Sequence, residues 1–157
     1  MTIKSDRDIL VDRIDCYIDE AASQGKIASF STTASGVALD NPAQLVTVAA
    51  DASGVAVAGI VMNHVVDIDT TRAFLNTQKD EMDAGGKVNL AKQGWIVTDD
   101  IVGTPTAQES AYVGASGSFA TDAEMLLLGA IGDFQSIGKF DTIKDENGYA
   151  RITLDIV

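Results

Sequence analysis

Residues 138–156, GKFDTIKDENGYARITLDI, are the part of the sequence that decides the fold. Gly138 to Ile143 and Tyr149 to Ile156 are both strand-like, and Asp145-Glu146-Asn147-Gly148 separates them. An Asn-Gly pair favours the positive φ angles that a tight hairpin turn requires. The stretch therefore predicts a β-hairpin.

Further apolar runs of strand length lie N-terminal to this hairpin. Leu45 to Ala50 predicts one strand, and Val55 to Met62 predicts a second strand that is buried on both faces. Residues 88–91 and 95–98 predict a further hairpin across Lys92-Gln93-Gly94. We therefore expect a mostly β protein, a β-barrel or β-sandwich, with one or two short helical segments.

The N-terminal residues have a different pattern. Ser5 and Asp8 are spaced as a helix-capping pair, which favours a helix over residues 6–23 or, failing that, an arm. The apolar residues of this segment would form one helical stripe: Ile9, Leu10, Ile14, Tyr17 and Ile18. The β-branched content also allows a short strand at 8–11 or 14–18.

The length and composition are those of one folded unit. A chain of 157 residues, 46% of them hydrophobic, can bury a sizeable core, about 70% of the surface that the unfolded chain exposes. No linker interrupts it. We expect a single domain over 1–157, in which residues 27–157 form the β part.

The charge excludes some classes of partner. The formal net charge is −12, from 11 basic and 23 acidic residues. Such a surface repels the phosphate backbone of nucleic acid and anionic lipid headgroups. No segment approaches the roughly 20 apolar residues that a membrane-spanning helix needs. Neither nucleic acid nor a membrane is expected as a partner.

Side chains that commonly act in catalysis are scarce in this sequence. His64 is the sole histidine and Cys16 the sole cysteine, so a nucleophile–base pair has few possible members, and no disulfide framework exists. Acidic residues at Asp67, Asp69, Asp99 and Asp100 leave open an enzyme with a carboxylate site. The interpretation we prefer is no enzyme, with no catalytic residue, cofactor site or metal site.

A resemblance to a known family depends on several short sequence motifs that occur in a fixed order. They are Gly59-Ile60-Val61, Gly94-Trp95-Ile96-Val97-Thr98, Gly103-Thr104-Pro105-Thr106-Ala107 with Ala111-Tyr112-Val113, Ile137-Gly138-Lys139-Phe140, and residues 145–152. In this order, over roughly residues 36–157, the chain resembles the head decoration (capsid cement) proteins of tailed bacteriophages. The predicted N-terminal helix and the apolar Leu126-Leu127-Leu128 have no counterpart in that resemblance.

The resemblance implies a structural virion protein. It would be made in the host cytoplasm, sit on the outer surface of the head, and stabilise the capsid by bridging neighbouring major capsid protein subunits. We expect a homo-oligomer, with a trimer as the first hypothesis, because capsid lattices are symmetric. The resemblance implies no catalytic residue. The alternative is another phage assembly protein, a tail-tube or fibre-associated subunit.

Two kinds of surface are candidates for contact with a partner. The apolar stripe could pack on a sister subunit or on the shell, although we prefer that it covers the chain's own sheet. The loops at 70–87 and 99–118 are the other candidates, since loops on a rigid scaffold commonly carry recognition.

Overall fold

The computed structural model describes residues 9–33, 44–51, 55–64, 81–127 and 134–157; for 9–13, 63, 64 and 81 it describes only the backbone. The strands in chain order are β1 (Ile9–Ile18), β2 (Ala22–Ser23), β3 (Ile27–Phe30), β4 (Leu45–Val48), β5 (Val57–His64), β6 (Glu81–Met82), β7 (Lys87–Thr98), β8 (Ile101–Val102), β9 (Ser110–Val113), β10 (Phe119–Ala120), β11 (Gly138–Phe140) and β12 (Ala150–Asp155). One 3-10 turn spans Ala115–Gly117, and one short helix, α1, spans Asp122–Leu127. The prediction of a mostly β fold with short helical segments is confirmed.

Strand β7 organises the sheet. Along its first half it pairs with β1 on one edge and with β5 on the other, since Leu90 and Ala91 have partners in both strands. Along its second half, β12 replaces β5. The pairings β1–β4, β4–β3, β3–β5, β5–β7 and β7–β1 complete a closed circuit of five strands.

The other strands extend from the second half of β7 in the order β12, β11, β9, β10 and β8. Within this part the predicted C-terminal hairpin is confirmed, with Phe140 opposite Ile152 and Gly138 opposite Leu154. Gly148, at φ +86°, supplies the left-handed turn residue that the Asn-Gly pair predicts. The residues of β12 alternate strictly between buried and exposed, as in a strand with one face on the core.

Two apolar clusters fill the two parts of the fold. One is formed mainly by residues of the five-stranded circuit, among them Cys16, Ile18, Val46, Val61 and Leu90, together with Ala22 and Met82 from the separate two-stranded sheet of β2 and β6. The other joins that circuit to the second group of strands, and it includes Ile27, Ile60, Ile96, Phe119, Phe140 and Ile152. Because β7 contributes to both clusters, the two parts of the sheet share one continuous packed framework.

The predicted helix over residues 6–23 is wrong. Ile9–Ile18 is strand β1, and residues 6–8 lie outside the described part of the chain. At the end of β1, burial alternates from one side chain to the next: Cys16 and Ile18 are fully buried, while Tyr17 between them is partly exposed. Pairing with β7 along most of its length decides the conformation, so tertiary contacts outweigh the capping signal.

The predicted hairpin between 88–91 and 95–98 is also wrong. Lys92-Gln93-Gly94 does not turn; Lys87–Thr98 is one strand of 12 residues. The stretch at 70–87 lies mostly outside the described residues, apart from β6 and the turn that leads into β7. Of the apolar residues Leu126-Leu127-Leu128, the first two lie in α1, and Leu128 lies outside the described residues.

Candidate functional site

A groove of about 510 Å³ lies on the outer face of the second half of the sheet. Its floor comes from β7 and β12, and its wall is the connection between β11 and β12. The lining includes Trp95, Val97, Ile143, Lys144, Tyr149 and Arg151. The exposed register of β12 places Arg151 on this face, directly opposite Val97, and Thr153 opposite Trp95.

A charged and aromatic network crosses the floor of the groove. The Arg151 guanidinium stands over the Trp95 ring, 5.6 Å from its centroid, within the range of a cation–π contact. Arg151 Nε donates to Asp141 Oδ2 at 2.8 Å, and Thr153 Oγ1 donates to the same oxygen at 2.8 Å. Asp141 is 16% exposed and Arg151 49%, so the carboxylate anchors a cation that still faces solvent.

The wall of the groove is fixed by hydrogen bonds between side chains and the backbone. The Oδ1 atom of Asp145 accepts from the amides of Asn147 and Tyr149, both at 2.9 Å. Lys144 Nζ donates to the carbonyls of Ile101 and Gly103 at 2.9 and 2.7 Å, which ties the wall to β8. The preformed wall leaves Ile143 65% exposed at the rim.

Two acidic residues, Asp99 and Asp145, influence the Tyr149 phenol that lines the groove. The negative charge of Asp99 raises the pKa of the Tyr149 phenol, assisted by desolvation, by a hydrogen bond with Asp99 and by the charge of Asp145. Since the ordinary pKa of a tyrosine is already about 10, this phenol is protonated at neutral pH. A protonated tyrosine beside Trp95 and Arg151 offers an aromatic surface with donors at its edge, which suits contact with another macromolecule.

The five residues predicted as interaction candidates do not share one helical stripe. Ile18 is fully buried, and Ile14 packs against the core cluster of the circuit. Tyr17 is partly exposed, and for Ile9 and Leu10 the structure gives only the backbone, opposite Trp95 and Gly94. Ile14 and Ile18 thus contribute to the protein's own core.

The groups considered for catalysis do not converge in the described part of the chain. Burial raises the pKa of the Cys16 thiol to about 11, with a contribution from Asp15. Asp100 Oδ2 lies 2.7 Å from Lys26 Nζ; the contact is an ion pair that lacks hydrogen-bond geometry. Only the backbone of His64 is described, and Asp67 and Asp69 lie outside the described residues.

Metal ligands and membrane helices can be assessed over the same residues. Within the described ranges, no group of three or more His, Cys, Asp or Glu residues could hold a metal ion. None of the helices described there has the length and apolar character needed to cross a bilayer.

Sequence reasoning missed the groove because it is assembled from distant segments. Trp95 and Arg151 are 56 positions apart (151 − 95) and meet only through the β7–β12 register. The available signal was the alternation of β12, which places Arg151, Thr153 and Asp155 on a polar face.

Comparison with known proteins finds similarity at the level of the fold. No family model and no curated protein matches the chain. Among solved structures, it is similar to the N base of the head fiber protein gp8.5 of bacteriophage phi29, with a TM-score of 0.51 and 9% sequence identity. The match covers 94% of this chain and 95% of the other. At this identity the likeness is one of fold, and it extends over nearly the whole of both chains.

Proposed function

We propose that this protein is a structural component of a phage virion that attaches to the outer surface of the head and stabilises it by bridging neighbouring major capsid protein subunits. The observation that carries the proposal is the fold similarity to the phi29 head fiber base, over 94% of this chain. The resemblance of residues 36–157 to head decoration proteins favours the same assignment. We further propose that it acts as a homo-oligomer, with a trimer as the first hypothesis.

A protein of this kind functions through surface complementarity. A stable pairwise interface buries roughly 1,600 Å² in total, and simultaneous contact with several subunits multiplies weaker contacts. Because the protein would bind the assembled shell and not its dissociated subunits, binding shifts the equilibrium toward the intact head.

The groove face supplies the residue types that dominate interface energies. Trp, Tyr and Arg are enriched among such residues, and Trp95, Tyr149 and Arg151 all line the groove. The hydrogen bonds that fix the groove wall mean that little conformational entropy is lost when a partner binds. We therefore propose that the capsid contact lies on this face.

The second candidate is a fibre-associated subunit, one of the two alternatives to a cement protein. The specific observation in its favour is that the similar structure is the base of a head fiber. A fibre base would bind the head at one end and carry further protein at the other, without bridging subunits. A tail-tube role has no comparable observation behind it.

Purified phage heads of the encoding virus distinguish these functions. The protein would be titrated onto heads that lack it, and bound copies counted by mass while rupture temperature is followed calorimetrically. If the number of bound copies at saturation matches the symmetry of the head, and the rupture temperature of the head rises, the result supports bridging. Saturable binding with unchanged rupture temperature supports the fibre base.

A matched pair of variants locates the contact. Trp95→Ala is expected to weaken head binding at least about tenfold, the effect of losing one dominant interface side chain. Leu127→Ala is expected to leave head binding unchanged, because Leu127 is 80% exposed in α1 and does not line the groove. Absence of binding to any form of the head would eliminate both functions. Equal binding by Trp95→Ala and Leu127→Ala would show that the contact with the head does not lie on the groove face.

A further inference from the structure

The turn in the wall of the groove contains an exposed Asn-Gly pair. Residues 145–148 reverse the chain between β11 and β12, and Asn147 is exposed there. Among the residues that the structure describes, the one hydrogen bond of Asn147 runs from its backbone N–H to Asp145 Oδ1, at 2.9 Å. The side-chain amide of Asn147 is therefore free to rotate toward the backbone that follows it.

The glycine after Asn147 removes the usual steric obstacle to a reaction of the backbone. The backbone nitrogen that follows an asparagine can attack the side-chain carbonyl carbon, and a side chain on the following residue crowds the ring that forms. Gly148 has no side chain, and a Cβ built at Gly148 would meet no atom within 4 Å. Both the ring and the space around it are thus unobstructed.

The native turn slows this attack without preventing it. The Gly148 N–H donates to the carbonyl of Asp145 at 3.0 Å, and this bond must open before the nitrogen can reach Asn147 Cγ. One hydrogen bond of ordinary net strength lowers the population of the open turn about fivefold. Exposed turns open locally while the sheet stays folded, so the reactive geometry is accessible to the native protein.

We propose that Asn147 is a site of spontaneous deamidation, through a succinimide formed with Gly148. The Gly148 nitrogen loses its proton and forms a bond to Asn147 Cγ, while the side-chain nitrogen leaves as ammonia. Water then opens the ring. Attack of water at the side-chain carbonyl gives aspartate, and attack at the backbone carbonyl gives isoaspartate, in which the main chain runs through the former side chain.

The isoaspartate form alters the wall of the groove as well as its charge. It lengthens the backbone by one methylene group between position 147 and Gly148. Asp145 Oδ1 accepts from the amides of residue 147 and Tyr149, both at 2.9 Å, and the longer backbone cannot keep both bonds. Tyr149, which lines the groove, then loses its fixed position. This inference goes beyond the proposed function, since it concerns a covalent change of the isolated protein.

Peptide mapping by mass spectrometry measures the conversion in full-length protein incubated at mildly alkaline pH. Native wild-type protein is expected to convert at position 147 within about tenfold of the rate in urea, with isoaspartate among the products. Asn89, whose Oδ1 is buried in β7, is the internal control and is expected to stay intact. Gly148→Ala is expected to slow the conversion severalfold in the native and the unfolded chain alike, because its methyl group crowds the ring.

Amide hydrogen exchange, followed by NMR, separates the change of the backbone from the added charge. In the isoaspartate form the Tyr149 amide is expected to exchange at least about fivefold faster than in the wild type. Asn147→Asp is the matched control, because it adds the same charge on an unaltered backbone, and its Tyr149 amide is expected to remain protected. The Ile152 amide reports that the sheet is intact in each form.

Several results would overturn the proposal. If Asn147 stays intact in the native protein, whatever its rate in urea, the turn prevents ring closure. An unchanged rate in Gly148→Ala, or aspartate as the sole product, would show that no succinimide forms. Equal exchange of the Tyr149 amide in the isoaspartate form and in Asn147→Asp would contradict the effect on the wall. None of these results bears on head binding, so this proposal and the proposed function can fail separately.

Discussion

Gly138 is the position where a single methyl group should do the most damage to the sheet. A Cβ at this position would lie 2.1 Å from the carbonyl oxygen of Thr153 and 3.1 Å from the Cα of Leu154. Carbon–oxygen contacts between strands need about 3.3 Å. The β11 and β12 strands would therefore have to separate by about 1 Å.

The cost of that separation can be worked from its parts. Each weakened backbone hydrogen bond contributes about 1 kcal/mol, and overpacking in a dense interior costs about 1–3 kcal/mol. We expect Gly138→Ala to lower the free energy of unfolding by about 3 kcal/mol. With a typical urea m-value of about 2 kcal/mol/M, the midpoint moves down by about 1.5 M.

Urea unfolding followed by the fluorescence of Trp95 measures the effect. Gly85→Ala is the matched control: φ there is +79° and no atom lies within 4 Å of an added Cβ. Its cost is conformational only, about 1 kcal/mol. A midpoint shift for Gly138→Ala no larger than that for Gly85→Ala would refute the close approach of β11 and β12.

Three further predictions concern the groove and the core. Trp95→Ala, Arg151→Ala and the double variant should show a coupling free energy of about 0.5–1 kcal/mol in urea unfolding; additive effects would mean that the cation–π contact contributes nothing. Because Asp99 raises the pKa of Tyr149, spectrophotometric titration should find this phenol ionising above the ordinary value, and Asp99→Asn should bring it down; an unchanged titration would contradict the contact. The raised folded-state pKa contributes stability that is fully present below the unfolded-state pKa of about 10 and is lost as pH rises through the folded-state value. Cys16, with a pKa of about 11 and no exposed surface, should react with a thiol reagent at pH 8 only after unfolding in urea; rapid reaction of the native protein would show that β1 opens.

The C-terminal hairpin could be predicted because its determinants are local. The Asn147-Gly148 turn and the alternation of Ile152 and Leu154 with Arg151 and Thr153 need no distant partner. Residues close in sequence therefore determine this element.

The predictions were wrong where pairing with strands that are distant in sequence determines the conformation. The apolar residues of 9–18 satisfy a helical spacing as well as a strand spacing, and the long ladder with β7 selects the strand. Lys92-Gln93-Gly94 has the composition of a turn, yet β1 and β12 pair on either side of Gln93 and hold the backbone extended. The groove could not be predicted for the same reason, because the register that brings Arg151 onto Trp95 is a property of the whole sheet.

The long shared strand also determines how the molecule carries mechanical load. Interstrand hydrogen bonds run perpendicular to the strands, so tension applied along β7 strains the bonds to β1, β5 and β12 together. Rupture by shear then requires many bonds to break at once, whereas peeling breaks them one after another. A protein anchored through β1, β5 or β12 and pulled along β7 would therefore resist detachment forces better than one loaded across its strands.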